Sequence, residues 1–284
     1  MQKKPRKLHG GDIYHYPDVR CEALREAISR FEQVNMEEIF CGNGAAELFF
    51  TAVQAVWPQK ALVIAPSFSE YEEALRSVGA EVEYYYLCEE DNFQIRGDYV
   101  DKLSEEIDMI FLCNPNNPTG QTIDRDMLIK ILDRCKKQNI VVILDECFLE
   151  FLDEPNRYAI SSNQDILEEM SWKLQQWNVS VPAQMAGVAA LEKPKEYIRQ
   201  TREYVSGQRE YMRNIMKMMG YVVFASKANY LFFKGRPGLE KEALEAGFLI
   251  RDCQNYEGLS EGFYRIAVRT KEENERLITW LGRL

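Results

Sequence analysis

Three apolar runs decide the fold class of this chain. Ala61–Ala65, Met109–Cys113 and Ile140–Leu144 carry no charge and no hydrophobic–polar alternation, and each halts at residues that end a strand: Pro66, Asn114-Pro115 and Asp145. Strands that are apolar on both faces belong inside a parallel sheet covered by helices. The stretches between them read as helices: Ala45–Trp57 before Pro58, Phe68–Val78 before Gly79, and Arg125–Gln138. Val82–Leu87 is a further strand, and Ile39–Cys41 a short one running into Gly42-Asn43-Gly44. Cys21–Phe31 has the spacing of an amphipathic helix. The expectation is an α/β fold with a mostly parallel sheet.

The rhythm changes after Pro155. Asp165–Leu174, Val181–Leu191 and the long Lys195–Met219 read as helices, the last closed by Gly220. Beyond it the pattern is α+β: strands at Tyr221–Phe224, Tyr230–Phe233, Leu249–Asp252 and Tyr264–Val268, with helices at Leu239–Ala246 and Glu272–Leu281. The simplest division is a short arm over 1–15, a large domain over 16–191 and a small C-terminal α+β domain over 192–284.

Composition removes several function classes. A hydrophobic fraction of 46% over 284 residues supports a sizeable core. No apolar run approaches the roughly 18 residues needed to cross a bilayer. The net charge of −10 speaks against nucleic acid or an anionic membrane as partner. The seven cysteines are scattered without a CxxC pair, and there are two histidines. That excludes a disulfide framework, a metal site and a histidine-dependent triad, and the expected compartment is a reducing cytoplasm. Met1–Lys7 is basic with no apolar stretch behind it, so it is not read as a signal peptide.

Four pieces carry chemistry. Gly42-Asn43-Gly44 joins a strand to a helix N-terminus, where free N–H groups and the helix dipole favour a phosphate, although an ordinary tight turn has the same spelling. Neither a dinucleotide fingerprint nor a Walker loop is present. Asn114-Pro-Asn-Asn-Pro-Thr-Gly120 is a rigid loop at a strand's C-terminal end, where α/β proteins place ligands. Asp145 ends the next buried strand, and an acid there needs a positive or protonated partner unless it is a cap or a surface group. Phe68 follows the strand ending at Pro66 and reads either as core or as a ring-stacking residue.

Together, an anion site, an aromatic, an asparagine and an acid at one edge of consecutive strands suit an aromatic, phosphorylated cofactor with a basic ring nitrogen. At these residues the chain resembles the fold-type-I pyridoxal-phosphate (PLP) enzymes of the class I/II aminotransferase superfamily. Within it, the chain looks most like the histidinol-phosphate aminotransferase group and its threonine-phosphate decarboxylase branch of cobalamin biosynthesis. The resemblance is carried by HGGD (His9–Asp12), YPDVRCEALREA (Tyr16–Ala27), FCGNGAAELFF (Phe40–Phe50), NPNNPTG, LDECFLEF (Leu144–Phe151), WNVSVPAQMAG (Trp177–Gly187) and IRDCQNYEGLSEGFYRIAVRTKEEN (Ile250–Asn274). It implies a PLP-binding large domain of the fold-type-I transferase kind and a small C-terminal domain. The implied reaction is decarboxylation of a phosphorylated amino acid or, alternatively, transamination of histidinol phosphate or a related amino acid.

The resemblance also implies roles. Gly44, Ala45 and Ala46 would hold the cofactor phosphate through their N–H groups. Phe68 would stack on the pyridine ring, Asn117 would donate to its O3′, and Asp145 would pair with its protonated nitrogen. Tyr16 would reach the cofactor phosphate of a neighbouring subunit, so a homodimer is implied. Arg265 would clamp the substrate carboxylate as a bidentate fork, Arg251 would make a second substrate-anion contact, and His9 would border the substrate. Arg269 is left as a surface charge. Phe148 departs from the tyrosine common in the aminotransferases, which suits the decarboxylase branch.

The resemblance also exposes a gap. In the relatives, two further strands follow the acid-bearing one, and a lysine between them forms the Schiff base with PLP. Here Glu154–Ser161 runs directly into Ser162–Met170, so that segment reads as excised. Ile13-Tyr14 likewise runs straight into His15-Tyr16-Pro17, where the relatives insert part of an N-terminal arm. No catalytic lysine is therefore assigned. Lys173, the nearest survivor in chain order, is not expected to replace it. The strands flanking the gap, Ile39–Cys41 and Ile140–Leu144, must either pair directly or leave open edges. Either the sequence omits segments that its parent, an ordinary PLP enzyme, possesses, which is the reading favoured for the parent's function, or the chain is a deletion variant that binds PLP without catalysis, or it is a remodelled fold with a binding or structural role; as written it is not expected to turn over.

Overall fold

A computed structural model of the chain describes residues 14–152, 163–192 and 194–284. In chain order the elements are α1 Glu22–Glu32, α2 Ala45–Val56, β1 Lys60–Ala65, α3 Glu70–Ser77, β2 Glu81–Tyr86, β3 Met109–Cys113, α4 Arg125–Gln138 and β4 Val141–Asp145. They continue with α5 Gln164–Lys173, α6 Val181–Ala190, α7 Pro194–Met218, β5 Val222–Val223, β6 Tyr230–Lys234, α8 Leu239–Glu245, β7 Arg251–Asp252, β8 Phe263–Ala267 and α9 Lys271–Leu281. By internal contacts the described residues fall into two compact units, one within 1–57 and 158–198, the other within 58–157 and 199–284. This partition cuts the chain elsewhere than a boundary at 191, because both sheets belong to the second unit.

The first unit is helical. In it α1 packs on α6 and α2 on α5. The close approach of α6 to α1 rests on Gly187, where a Cβ would stand 2.7 Å from Leu24 Cδ1. Ser180 caps α6 by accepting the Ala183 N–H, and Asn163 caps α5 by accepting the Ile166 N–H. The strand expected at Ile39–Cys41 does not form. Ile39 is extended (φ −105°, ψ 129°), but the segment joins no ladder. A strand of three residues has no stability apart from its hydrogen-bonded neighbours, so its pattern alone could not secure it.

The second unit holds the parallel sheet, in the order β2-β1-β3-β4, as the apolar runs require. Strand β3 is buried along its whole length, whereas Val141–Leu144 of β4 are half-buried. Among the described residues β4 ends the sheet, which is the open-edge outcome of the two foreseen. Asp124 caps α4 by accepting the N–H groups of Asp126 and Met127.

A second, antiparallel sheet in the order β5-β6-β8-β7 packs with α7, α8 and α9 around Met212, Met216, Leu231, Phe233, Leu239 and Ile278. The Asn-Pro loop after β3 is locked to the segment before β6. There Lys227 N–H donates to the Gly120 carbonyl at 2.8 Å, and Gln121 Nε2 donates to the Ala225 carbonyl at 2.8 Å. Gly120 has φ +71°, and a Cβ on it would lie 2.2 Å from Ser226 Oγ, so only glycine fits. Among the described residues no helix is long and apolar enough to cross a membrane.

Candidate active site

The C-terminal ends of β1, β3 and β4 converge on Asp145. Parallel pairing sets Cys113 beside Asp145, and the Asn114 N–H donates to the Asp145 carbonyl at 2.9 Å. The Asp145 side chain is 7% exposed. Its Oδ2 accepts from the Tyr71 hydroxyl at 2.5 Å, and its Oδ1 accepts from the Cys147 N–H at 3.0 Å. Tyr71 is fully buried and stacks on Phe111 with ring centroids 4.8 Å apart. Phe68, half-buried at the mouth of α3, meets Tyr71 edge-on at 5.7 Å. Burial, with Cys113 and Asp145 close by, pushes the Tyr71 phenol well above its ordinary range, so it stays a donor. Burial also raises the Cys113 thiol, and burial with the Asp145 carboxylate raises Cys147 to about 12, so neither is a nucleophile at neutral pH.

The Asn-Pro loop supplies the other wall. Asn116 Nδ2 donates to the Pro66 carbonyl and to Thr119 Oγ1, both at 3.0 Å, which ties the loop to the end of β1. Asn117 Oδ1 accepts from Arg265 Nη1 and, at 3.3 Å, from the Tyr256 hydroxyl. With the oxygen engaged twice, the amide orientation is fixed and Nδ2 is left as a donor. The Arg265 guanidinium lies over the Tyr230 ring, 4.8 Å from its centroid. The Tyr230 hydroxyl donates to the Asn116 carbonyl at 2.7 Å, and Phe148 meets the same ring edge-on at 5.1 Å. Arg251 stands 5.5 Å over the Tyr256 ring and donates to Asn255 Oδ1 at 2.9 Å. Five expected residues, Phe68, Asn117, Asp145, Arg251 and Arg265, thus share one network within the second unit.

Gly44, Ala45, Ala46 and Tyr16 belong to the first unit. Gly44 caps α2 with φ +85°, and among the described residues no side chain caps that helix end, so the first-turn N–H groups carry the positive end of the dipole. Glu47 folds back instead: its Oε2 accepts from the Asn43 N–H at 2.5 Å and from Asn178 Nδ2 at 2.6 Å. Tyr16 is 81% exposed, its ring 5.0 Å from that of Trp177. Lys173 is exposed at the end of α5. His9 and the Ser161–Ser162 junction lie outside the described residues.

Sequence reading passed over Tyr71, Tyr230, Tyr256 and the Glu47–Asn178 pair. Tyr71 had a signal, since it lies three residues after Phe68 where a helix begins, on the face that returns to the sheet. The others are joined only by tertiary contacts.

Comparison with known proteins follows the same lines. The family description "Aminotransferase class I and II" matches residues 1–160 and 158–281. The threonine-phosphate decarboxylase of Salmonella typhimurium is 32% identical over 301 aligned residues, which cover 95% of this chain and 83% of that protein. A histidinol-phosphate aminotransferase of Desulfitobacterium hafniense is 31% identical, covering 95% and 83%. The aligned stretch in the first exceeds the chain's own 284 residues, so that relative carries residues this chain lacks. Among solved structures, the histidinol-phosphate aminotransferase of Clostridium acetobutylicum superposes with a TM-score of 0.88 at 24% identity, over 96% of this chain and 91% of that one. The fold is thus that of the fold-type-I enzymes. A parallel sheet ending in a buried aspartate and an Asn-Pro loop, matched along nearly the whole chain, places this protein in the class I and II aminotransferase family of pyridoxal-phosphate enzymes.

Proposed function

We propose that the chain carries the site of an enzyme acting on a phosphorylated amino acid, with decarboxylation of threonine phosphate as the parent reaction. The observation that carries the cofactor assignment is the condition of Asp145. It is buried, two neutral donors hold its oxygens, and no cation pairs with it among the described residues. A buried carboxyl group so arranged has hydrogen-bond donors but no ionic partner of its own, which fits a ligand bearing a protonated ring nitrogen. Asn117 Nδ2 would donate to the ring hydroxyl, Phe68 would cover the ring face, and the N–H groups of Gly44, Ala45 and Ala46 would take the phosphate. When bound, PLP supplies an electron sink for the bonds at the substrate α-carbon. Arg265 spends only Nη1 on Asn117 and keeps the rest of its fork for a carboxylate. Arg251 offers a second cation for the substrate phosphate. Phe148 brings no hydroxyl to the ring oxygen, leaving that contact to Asn117.

The decarboxylase reading draws on the Salmonella relative and on Phe148. Transamination of histidinol phosphate is the second reading, favoured by the Desulfitobacterium relative. The cytoplasm is the compartment we assign. The chain is further read as a homodimer, its first unit presenting Tyr14 (83% exposed) and Tyr16 to the partner. We read the lysine-bearing segment as missing at the Ser161–Ser162 junction, a reading to which the longer alignment of the Salmonella relative lends support, and on it the chain as written holds the cofactor without a covalent bond. Borohydride treatment with PLP followed by intact-mass measurement should show no adduct on this chain beside retained cofactor. A single-lysine adduct refutes the gap. With the segment restored, threonine phosphate should yield carbon dioxide. A keto product from histidinol phosphate would instead establish the aminotransferase.

A further inference from the structure

Arg251 and Arg265 stand directly opposite each other across the β7·β8 ladder, so both side chains rise from one face of the sheet. Like charges so placed repel, and the sheet gains nothing from them. Among the described residues neither forms an ion pair with a carboxylate: Arg251 donates to Asn255 Oδ1 at 2.9 Å and Arg265 to Asn117 Oδ1, both uncharged amides. One side chain touches both arms. The Tyr256 ring lies under the Arg251 guanidinium, 5.5 Å from it, and the Tyr256 hydroxyl donates at 3.3 Å to Asn117 Oδ1, the oxygen that also takes Arg265 Nη1. Tyr256 is 6% exposed, and its backbone is pinned on both sides: its N–H donates to the Cys253 carbonyl and its carbonyl accepts the Leu259 N–H, each at 3.1 Å. An aspartate or glutamate at this place would hold the two cations more strongly, but it would neutralise them and compete with an anionic ligand. An aromatic face holds a guanidinium by its plane and leaves the N–H groups at its edge for a ligand.

We propose that Tyr256 is a positioning residue that sets Arg251 and Arg265 as a spaced pair of anion clamps, and so selects amino acids that carry a second anionic group. This rests on the reading of Arg265 as the carboxylate clamp and Arg251 as the contact for the second anion. A ligand with two anionic groups relieves the repulsion between the guanidiniums at both ends. A ligand with a carboxylate alone relieves it at one arm and leaves the other cation facing it. Loss of the Tyr256 ring frees the Arg251 head, while Arg265 keeps its bond to Asn117 and its place over the Tyr230 ring. The ligand with two anions is therefore weakened and the ligand with one is not, whereas a packing defect would weaken both alike.

The test is calorimetry with phosphothreonine and with threonine, on the chain saturated with pyridoxine 5′-phosphate, which has the ring and the phosphate but no aldehyde and so needs no lysine. Wild type, Y256L, Y256F, R251Q and the Y256L/R251Q double variant are compared, with Y256M in place of Y256L should the shorter side chain fail to fold. Y256L is expected to bind phosphothreonine about tenfold more weakly, as loss of a guanidinium–ring contact allows, and threonine within about twofold of wild type. Y256F keeps the ring and should hold phosphothreonine within about threefold. In the R251Q background, Y256L should change phosphothreonine affinity less than about twofold. An equal loss for both ligands, a loss that persists in the R251Q background, a Y256F as weak as Y256L, or no loss at all overturns the role of Tyr256. Wild type that binds threonine as well as phosphothreonine, or binds neither, overturns the reading of the two arginines itself.

Discussion

Glu47 offers a test of the glycine turn that needs no ligand. Its carboxylate accepts from the Asn43 N–H and from Asn178 Nδ2, which are 2.5 and 2.6 Å from the same oxygen. Hydrogen bonds to a charged group contribute about 1.5–3 kcal/mol each. A carboxylate in the first turn of a helix adds about 0.3–1 kcal/mol. Glu47 is half-buried, so water replaces part of what is lost, and E47A is expected to cost about 3 kcal/mol. E47Q keeps an acceptor oxygen at the same reach and loses only the charge, so it should cost about 1 kcal/mol. Urea unfolding read by tryptophan fluorescence suits the first unit, where Trp177 adjoins Asn178. If E47A falls within about 0.5 kcal/mol of wild type, or E47Q costs as much as E47A, the two bonds do not hold the turn and the reasoning fails.

Other outcomes follow from the second unit. G120A should lose at least about 2 kcal/mol in urea unfolding, because φ +71° and the 2.2 Å approach of Ser226 Oγ both exclude a Cβ. An S226G change should recover only the steric share. Arg265→Lys should weaken binding of phosphothreonine by about tenfold in a competition assay with pyridoxine phosphate bound, since an ammonium supplies no fork and stacks poorly on Tyr230. The Tyr71 and Tyr230 phenols are raised above their ordinary value of 10.0, chiefly by burial. Their contribution to stability is therefore complete below pH 10 and lost as pH rises beyond it. The urea midpoint should fall on that alkaline side while absorbance at 295 nm shows a delayed class of tyrosines. Ionisation of every tyrosine near pH 10 would contradict this.

The parts of the site that were legible in sequence are those whose meaning is local. Asp145 announces itself because a charged residue ends an apolar run, and Asn117 because it sits between two prolines at a strand end. The helix termini at Asp124 and Thr270 are spelled by residues within three positions of each cap. What could not be read was anything settled by a partner far along the chain. Asn178 meets Glu47 across 131 positions, Tyr256 meets Asn117 across 139, and Tyr71 meets Asp145 across 74. Each of these residues has an innocent local reading as helix surface, loop aromatic or core.

Ile39–Cys41 shows the same limit from the other direction. Its composition is that of a strand, and its backbone at Ile39 is extended, yet it forms no ladder, because a strand is a property of a pair and not of a segment. Strand β4 is the complementary case. Its ladder to β3 is complete, with Val141–Leu144 in register with Met109–Leu112, but the half-burial of those four residues is less than an apolar run on both faces anticipates. A run such as Val-Val-Ile-Leu is written for burial on both sides, with neighbours on both edges. We propose that β4 lacks a second neighbour because a segment is missing at the Ser161–Ser162 junction. Restoring the segment at Ser161–Ser162 should accordingly bury Val141–Leu144 and slow amide exchange along the outer edge of β4. Exchange there that is unchanged by the restoration would show that the open edge belongs to this chain by design and that the missing strands were never its own.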